Sequence, residues 1–140
     1  MPDRPAQTAA VAHIDGASKG NPGPSAIGVV ITAPDGAPVS RIKQFIGTAT
    51  NNQAEYRALI TAIRAAANLG MTSLHVKTDS LLLASQMNGE WKVKDPGIRA
   101  LYKEAVEARG ALDSFTISHV GREHNTVADG LANEAIKRYS

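Results

Sequence analysis

The apolar pattern of this chain changes period near residue 50, and that change limits the folds open to it. Before it, the sequence reads as strands joined by short turns. Thr8 to Asp15 is a short, mostly apolar run ending in a charge. Gly16 to Ser25 carries three glycines and two prolines and reads as a turn-rich loop. Ala26 to Ala33 is β-branched, and Pro34-Asp35-Gly36 supplies turn chemistry. Val39 to Gly47 follows, with Val39, Arg41, Lys43, Phe45 and Gly47 on one face and Ser40, Ile42, Gln44 and Ile46 on the other. From Asn51 onward the period is helical. Asn51 to Leu69 is rich in Ala and Leu and stops at Gly70. Ser73 to Thr78 reads as a strand, and Asp79 or Ser80 caps a short helix to about Met87. Pro96 to Arg109 is a helix, Ser114 to Val120 a strand, and about His124 to Arg138 a final amphipathic helix. A three-stranded meander followed by strand–helix alternation predicts an α/β fold: one mixed sheet with helices on both faces.

Composition narrows the classes further. At 140 residues the chain is expected to be a single domain, residues 1–140, with 1–8 a flexible tail. The sequence has no Cys, which excludes disulfides, Cys-ligated metals and thiol nucleophiles. No apolar run approaches the ~20 residues of a membrane span, and Met1 to Gln7 has no hydrophobic signal region. No membrane association and a cytoplasmic location are therefore expected. The net charge of +2 is too small to argue for a polyanionic partner by itself, so the placement of the charges must decide.

Four carboxylates stand in unusual places. Asp15 and Asp79 each end a predicted strand; if those strands are adjacent and parallel, both emerge at one edge of the sheet, where open α/β sheets bind ligands. Glu55 sits one turn into the first long helix, with Ala58, Leu59 and Ala62 at i+3, i+4 and i+7, on the apolar stripe. Asp129 repeats this with Ala132 and Ile136. A carboxylate on a buried stripe costs several kcal/mol unless it is paired or metal-bound. Each acid alone could be a cap, a core ion pair or a solvated edge residue. Four together, without His or Cys partners, favour a hard cation such as Mg²⁺ or Mn²⁺.

Four blocks in order carry a resemblance: Asp15-Gly16-Ala17-Ser18-Lys19-Gly20-Asn21-Pro22-Gly23-Pro24, Thr50-Asn51-Asn52-Gln53-Ala54-Glu55-Tyr56, Thr78-Asp79-Ser80, and Arg122-Glu123-His124-Asn125-Thr126-Val127-Ala128-Asp129. From about Ala10 to Ala135 the chain resembles the ribonuclease H type 1 family. The resemblance implies a ribonuclease H-like fold, a five-stranded mixed sheet of order 3-2-1-4-5 with strand 2 antiparallel. It implies an endonuclease that cuts the RNA strand of RNA/DNA hybrids and leaves 5′-phosphate and 3′-hydroxyl ends. Asp15, Glu55, Asp79 and Asp129 match the family's metal-binding set. Two Mg²⁺ ions about 4 Å apart would there hold the attacking and departing oxygens in line. In the family, the residue matching Asp15 bridges both ions, those matching Glu55 and Asp79 support one, and that matching Asp129 holds the nucleophile-side ion.

The same resemblance assigns substrate contacts. Asn51, Asn52 and Gln53 resemble residues that touch ribose 2′-hydroxyls and base edges, although helix capping alone would also explain the Asn pair. Gly16, Ala17 and Ser18 resemble backbone contacts to the same strand, with Asn21 near it. Thr50 and Asn52 resemble a phosphate pocket for the opposite strand. The chain also departs from members that carry a basic helix-and-loop handle. Only Gly89 to Pro96 joins the neighbouring helices, so the match is to the compact, handle-less subgroup. Trp91 with Lys92 and Lys94, an aromatic among cations, reads either as a reduced substitute for that handle or as a plug at the core edge. Weaker clamping predicts looser duplex choice, including double-stranded RNA. Arg122, and after it His124, are candidates for assisting product release or leaving-group protonation. His13, His75 and His119 read as sheet-face or packing residues. A catalytically silent nucleic-acid-binding module is the competing class, and retention of all four acids argues against it. No protein partner is evident, and a monomer is expected.

Overall fold

The computed structural model describes residues 8–139. The tail expected over residues 1–8 lies outside them except for Thr8. The elements are β1 (Ala9–Ser18), β2 (Gly23–Thr32), β3 (Pro38–Ala49), α1 (Asn51–Asn68), β4 (Ser73–Thr78), α2 (Leu81–Met87), α3 (Pro96–Arg109), β5 (Ser114–His119) and α4 (Thr126–Arg138). The sheet order is β3-β2-β1-β4-β5. β1 pairs antiparallel with β2 and parallel with β4, β2 pairs antiparallel with β3, and β4 runs parallel to β5. Only β2 runs against the rest, as expected for this fold.

The main core lies on one side of the sheet. Ala10, Ala12 and Ile14 of β1, Leu74 and Val76 of β4, and Ile27, Val29 and Ile31 of β2 face a layer built from α1, α2 and α3. The α1 stripe Ala58, Leu59, Ala62, Ile63 and Ala66 is fully enclosed there. Tyr56 is buried with its hydroxyl donating to Gln86 Oε1 at 2.7 Å, which ties α1 to α2. On the opposite side α4 covers β1, β2 and β3, with Ala135 and Ile136 against Ala26. Lys43 of β3 and Glu134 of α4 form an ion pair, and Phe45 stacks on Tyr139 with ring centroids 4.4 Å apart.

Three boundaries differ from the sequence reading. The Gly16–Ser25 segment is mostly strand: β1 runs on through Ser18, β2 begins at Gly23, and the register holds to Ser18↔Ser25. Glycines and prolines mask strand pattern, but here Ser25 Oγ and Ser18 Oγ both donate to the Ala49 carbonyl and stitch the hairpin to β3. The alternation in β3 breaks before Gly47. Ile46 is an extra residue opposite the Ser25–Ala26 step, a β-bulge, and Gly47 takes φ +83°. The final helix starts at Thr126, after a separate 3₁₀ turn over Arg122–His124. Asn125 stands at its N-cap position without a side-chain cap bond, and its Nδ2 donates to the Ile14 carbonyl at 2.8 Å.

Candidate active site

The parallel register pairs Ile14 with Thr78, so Asp15 and Asp79 stand side by side where β4 ends. Asp79 leaves the sheet there, but Asp15 does not end its strand as expected, because β1 stays paired with β2 through Ser18. Two glycines bring the other acids to them. At Gly16 a Cβ would overlap the backbone of Ala54 and Glu55, so α1 rests directly on β1 there. The Gly16 N–H donates to Glu55 Oε1 at 3.0 Å. At Gly28, the cross-strand partner of Asp15, a Cβ would overlap the Ala128 carbonyl oxygen. That contact seats α4 on β2 with Asp129 beside Asp15. Larger residues at either position would lift a helix, and its acid, off the sheet.

Asp15, Glu55 and Asp79 each offer an oxygen within 4.8 Å of the others. They and Asp129 line one recess of about 470 Å³. Asp15 is only 5% exposed. Burial, then the charges of Glu55 and Asp79, then the hydrogen bond and charge of Asp129 push its carboxyl up to about 9. Glu55 is pushed up to about 8 by burial and by the charge of Asp79, against the opposing Gly16 N–H. Asp129 raises it further and the Arg122 guanidinium lowers it. Oxygen donors gathered this closely, with no nitrogen or sulfur ligand, suit a hard divalent cation that would restore them to carboxylates.

The other residues singled out from sequence divide clearly. Gly16, Ala17, Ser18, Asn51 and Arg122 line the recess with the acids. His124 does not: it lines a separate recess on the sheet face with His13, Arg41 and Val127. Helix capping is done by Thr50 and Gln53. Thr50 Oγ1 accepts from the Gln53 N–H at 3.1 Å, and Gln53 Oε1 accepts from the Thr50 N–H at 2.9 Å. The Asn51 and Asn52 side chains are thereby left exposed and uncommitted to the cap. Asn21 Oδ1 accepts the Asn51 N–H at 2.9 Å, which holds the β1–β2 hairpin against the start of α1. Trp91 is 47% exposed, which excludes its reading as a core plug. Its N–H, with that of Glu90, donates to the Ser85 carbonyl, and Lys92 and Lys94 beside it are exposed. His75 bonds the hydroxyls of Thr116 and Ser118 on the sheet face, as a packing residue would.

Asn133 was not singled out, yet it lines the recess and its Nδ2 donates to the Asp129 carbonyl at 2.9 Å. The signal was present: it stands four residues after Asp129, one turn along the same helix face.

The sheet order together with acids converging from β1, α1 and the end of β4 defines the ribonuclease H-like class of fold. A family model described as "Reverse transcriptase-like" matches residues 13–135. A ribonuclease HI of Halobacterium salinarum is 46% identical over 125 residues, which is 89% of this chain and 63% of that protein. The crystal structure of RNase H1 from that archaeon superposes with a TM-score of 0.91 at 45% identity, covering 93% of this chain and 98% of the other. LC11-RNase H1, solved in complex with an RNA/DNA hybrid, gives 0.89 at 36% identity and covers 93% and 98%. The chain belongs to the ribonuclease H family. It spans under two thirds of the length of the Halobacterium relative.

Proposed function

We propose that the chain is a metal-dependent endoribonuclease that hydrolyses the RNA strand of RNA/DNA hybrids, leaving 5′-phosphate and 3′-hydroxyl ends. The observation that carries this is the meeting of four carboxylates from β1, α1, β4 and α4 beside the uncommitted Asn51 side chain at the start of α1. Membership of the ribonuclease H family supports it, as does the hybrid bound by the similar LC11 enzyme. No helix among the described residues is long and apolar enough to cross a membrane.

Asp15, Glu55, Asp79 and Asp129 would hold two Mg²⁺ ions, which supply charge neutralisation and an activated water at the scissile phosphate. Asp15 is buried and lies within reach of the charges of Glu55, Asp79 and Asp129. Glu55 is oriented by the Gly16 N–H and cannot swing away without losing that bond. Asn51 presents a donor and an acceptor to a 2′-hydroxyl, which only the RNA strand offers. The backbone of Gly16, Ala17 and Ser18 forms the wall on which that strand rests. Arg122, at the rim and close enough to act on Glu55, steadies the departing phosphate; His124 is too differently placed to share that task. Exposed Trp91, with Lys92 and Lys94, offers a flat apolar face beside two cations to the DNA strand.

Cleavage of RNA/DNA, RNA/RNA and DNA/DNA duplexes of one sequence at matched salt tests the reading. RNA/DNA should be cut fastest and DNA/DNA not at all. The short Gly89–Pro96 connection, which lacks a basic handle, leads us to expect slow cutting of RNA/RNA as well. Equal cutting of DNA/DNA would refute the role given to Asn51.

A further inference from the structure

A second groove, of about 510 Å³, opens beside the acid recess and shares Ser18 and Asn133 with it. One wall is the β1–β2 turn at Lys19. The other is a stripe of α4, Gly130, Asn133, Glu134 and Lys137, spaced i, i+3, i+4 and i+7 on one face. Its only acid, Glu134, is engaged by Lys43, which holds that carboxyl below its usual range. Neither Lys19 nor Lys137 forms an ion pair among the described residues. Gly130 leaves open space where a side chain would stand. The groove therefore has cationic sides, a low floor and an opening onto the reacting centre.

We propose that this groove is a phosphate track for the RNA strand, in which Lys19 and Lys137 hold the phosphates that follow the scissile one on a single side of the cut. The inference rests on the hydrolase reading above, because the strand that enters the groove is the one whose phosphate lies at the acids. From Gly130 to Lys137 the helix rises about 10 Å. That matches the axial length of about three nucleotides of one strand at 3.4 Å each. The track therefore serves two or three nucleotides and no more. None of Asn51, Asn52, Trp91, Lys92 and Lys94 lines it, so its contribution is separable from theirs.

The test uses hybrids that share one cut site and are lengthened one nucleotide at a time on either side. For the wild-type chain, kcat/KM should rise over the first two or three nucleotides on one side and then level off. In Lys19→Ala/Lys137→Ala this increment should vanish, through KM with kcat retained. Two phosphate contacts predict that the wild-type advantage shrinks about 12-fold between 50 and 200 mM salt. Gly130→Leu places a side chain on the groove floor while improving helix propensity; it should lose the increment with no loss of thermal stability. Lys103→Ala, an exposed cation on α3, serves as the charge-matched control and should keep the increment. Loss of the increment on both sides alike, or its persistence in the double variant and Gly130→Leu, would overturn the track. Failure of the wild-type chain to cut any hybrid would instead overturn the hydrolase reading on which the track depends.

Discussion

Replacing Asp15 by Asn should stabilise the metal-free protein while abolishing its activity. With no cation present, burial and the neighbouring acids push the folded Asp15 carboxyl up to about 9 from its ordinary 3.8. An acid whose folded value is raised binds its proton more tightly when folded. The associated stability is therefore full below pH 4 and is lost progressively as pH rises toward 9. At pH 7, holding that carboxyl in the fold costs at most about 4 kcal/mol; at pH 5 the same reasoning gives under about 2 kcal/mol. An amide in its place is a buried polar group costing about 1–2 kcal/mol, although it can still donate to Asp129. The expected net gain in EDTA is about 2–3 kcal/mol at pH 7, or roughly 10 °C in melting temperature for a domain of this size, and close to zero at pH 5. Thermal melts of both proteins at pH 5 and pH 7, with EDTA and then with Mg²⁺, measure it. Mg²⁺ should raise the wild-type melting temperature much more than that of the variant. A variant that is less stable at pH 7, or equally stabilised at pH 5 and pH 7, would refute the reasoning.

Gly28→Ala should destabilise the fold by about 2–3 kcal/mol, at the upper end of overpacking, because the new methyl group meets the Ala128 carbonyl. Urea denaturation would show it, and the surviving folded fraction should bind Mg²⁺ more weakly as Asp129 moves away from Asp15. Arg122→Ala should lower kcat on the order of 100-fold, whereas His124→Ala should change it little; single-turnover assays at several Mg²⁺ concentrations separate the two. Thr50→Ala removes the cap of α1 and should cost about 1 kcal/mol, seen in chemical denaturation. Asn51→Ala should leave stability unchanged but reduce the preference for RNA over DNA strands.

Much of this was legible in the sequence because the chemistry follows local periodicity. Asp79 could be placed at a strand end from a period-2 run, and Glu55 and Asp129 on buried helical stripes from their i+3 and i+7 neighbours. Asp15 instead sits inside β1, because the Gly- and Pro-rich segment after it continues as strand to Ser18. What brings the four together was not legible. Gly16 and Gly28 read as turn or strand glycines, and only the helices lying on them show why no side chain fits. The Asn125 bond to the Ile14 carbonyl, which ties the start of α4 to β1, spans 111 positions and has no local signature. The exposure of Trp91 was likewise open until the Ser85 carbonyl was seen to fix the chain beside it. Capping by Thr50 and Gln53 resolved the remaining ambiguity, since it frees the Asn side chains that capping might otherwise have consumed.

The most direct test of the central claim is an RNA/DNA hybrid labelled at the RNA 5′ end, incubated with the wild-type chain and with Asp79→Asn, with and without Mg²⁺. The account predicts internal cutting of the RNA strand by the wild-type chain only when Mg²⁺ is present, with fragments ending in 3′-hydroxyl, and no cutting by the variant. Intact RNA with Mg²⁺ present, or equal cutting by Asp79→Asn, would contradict it.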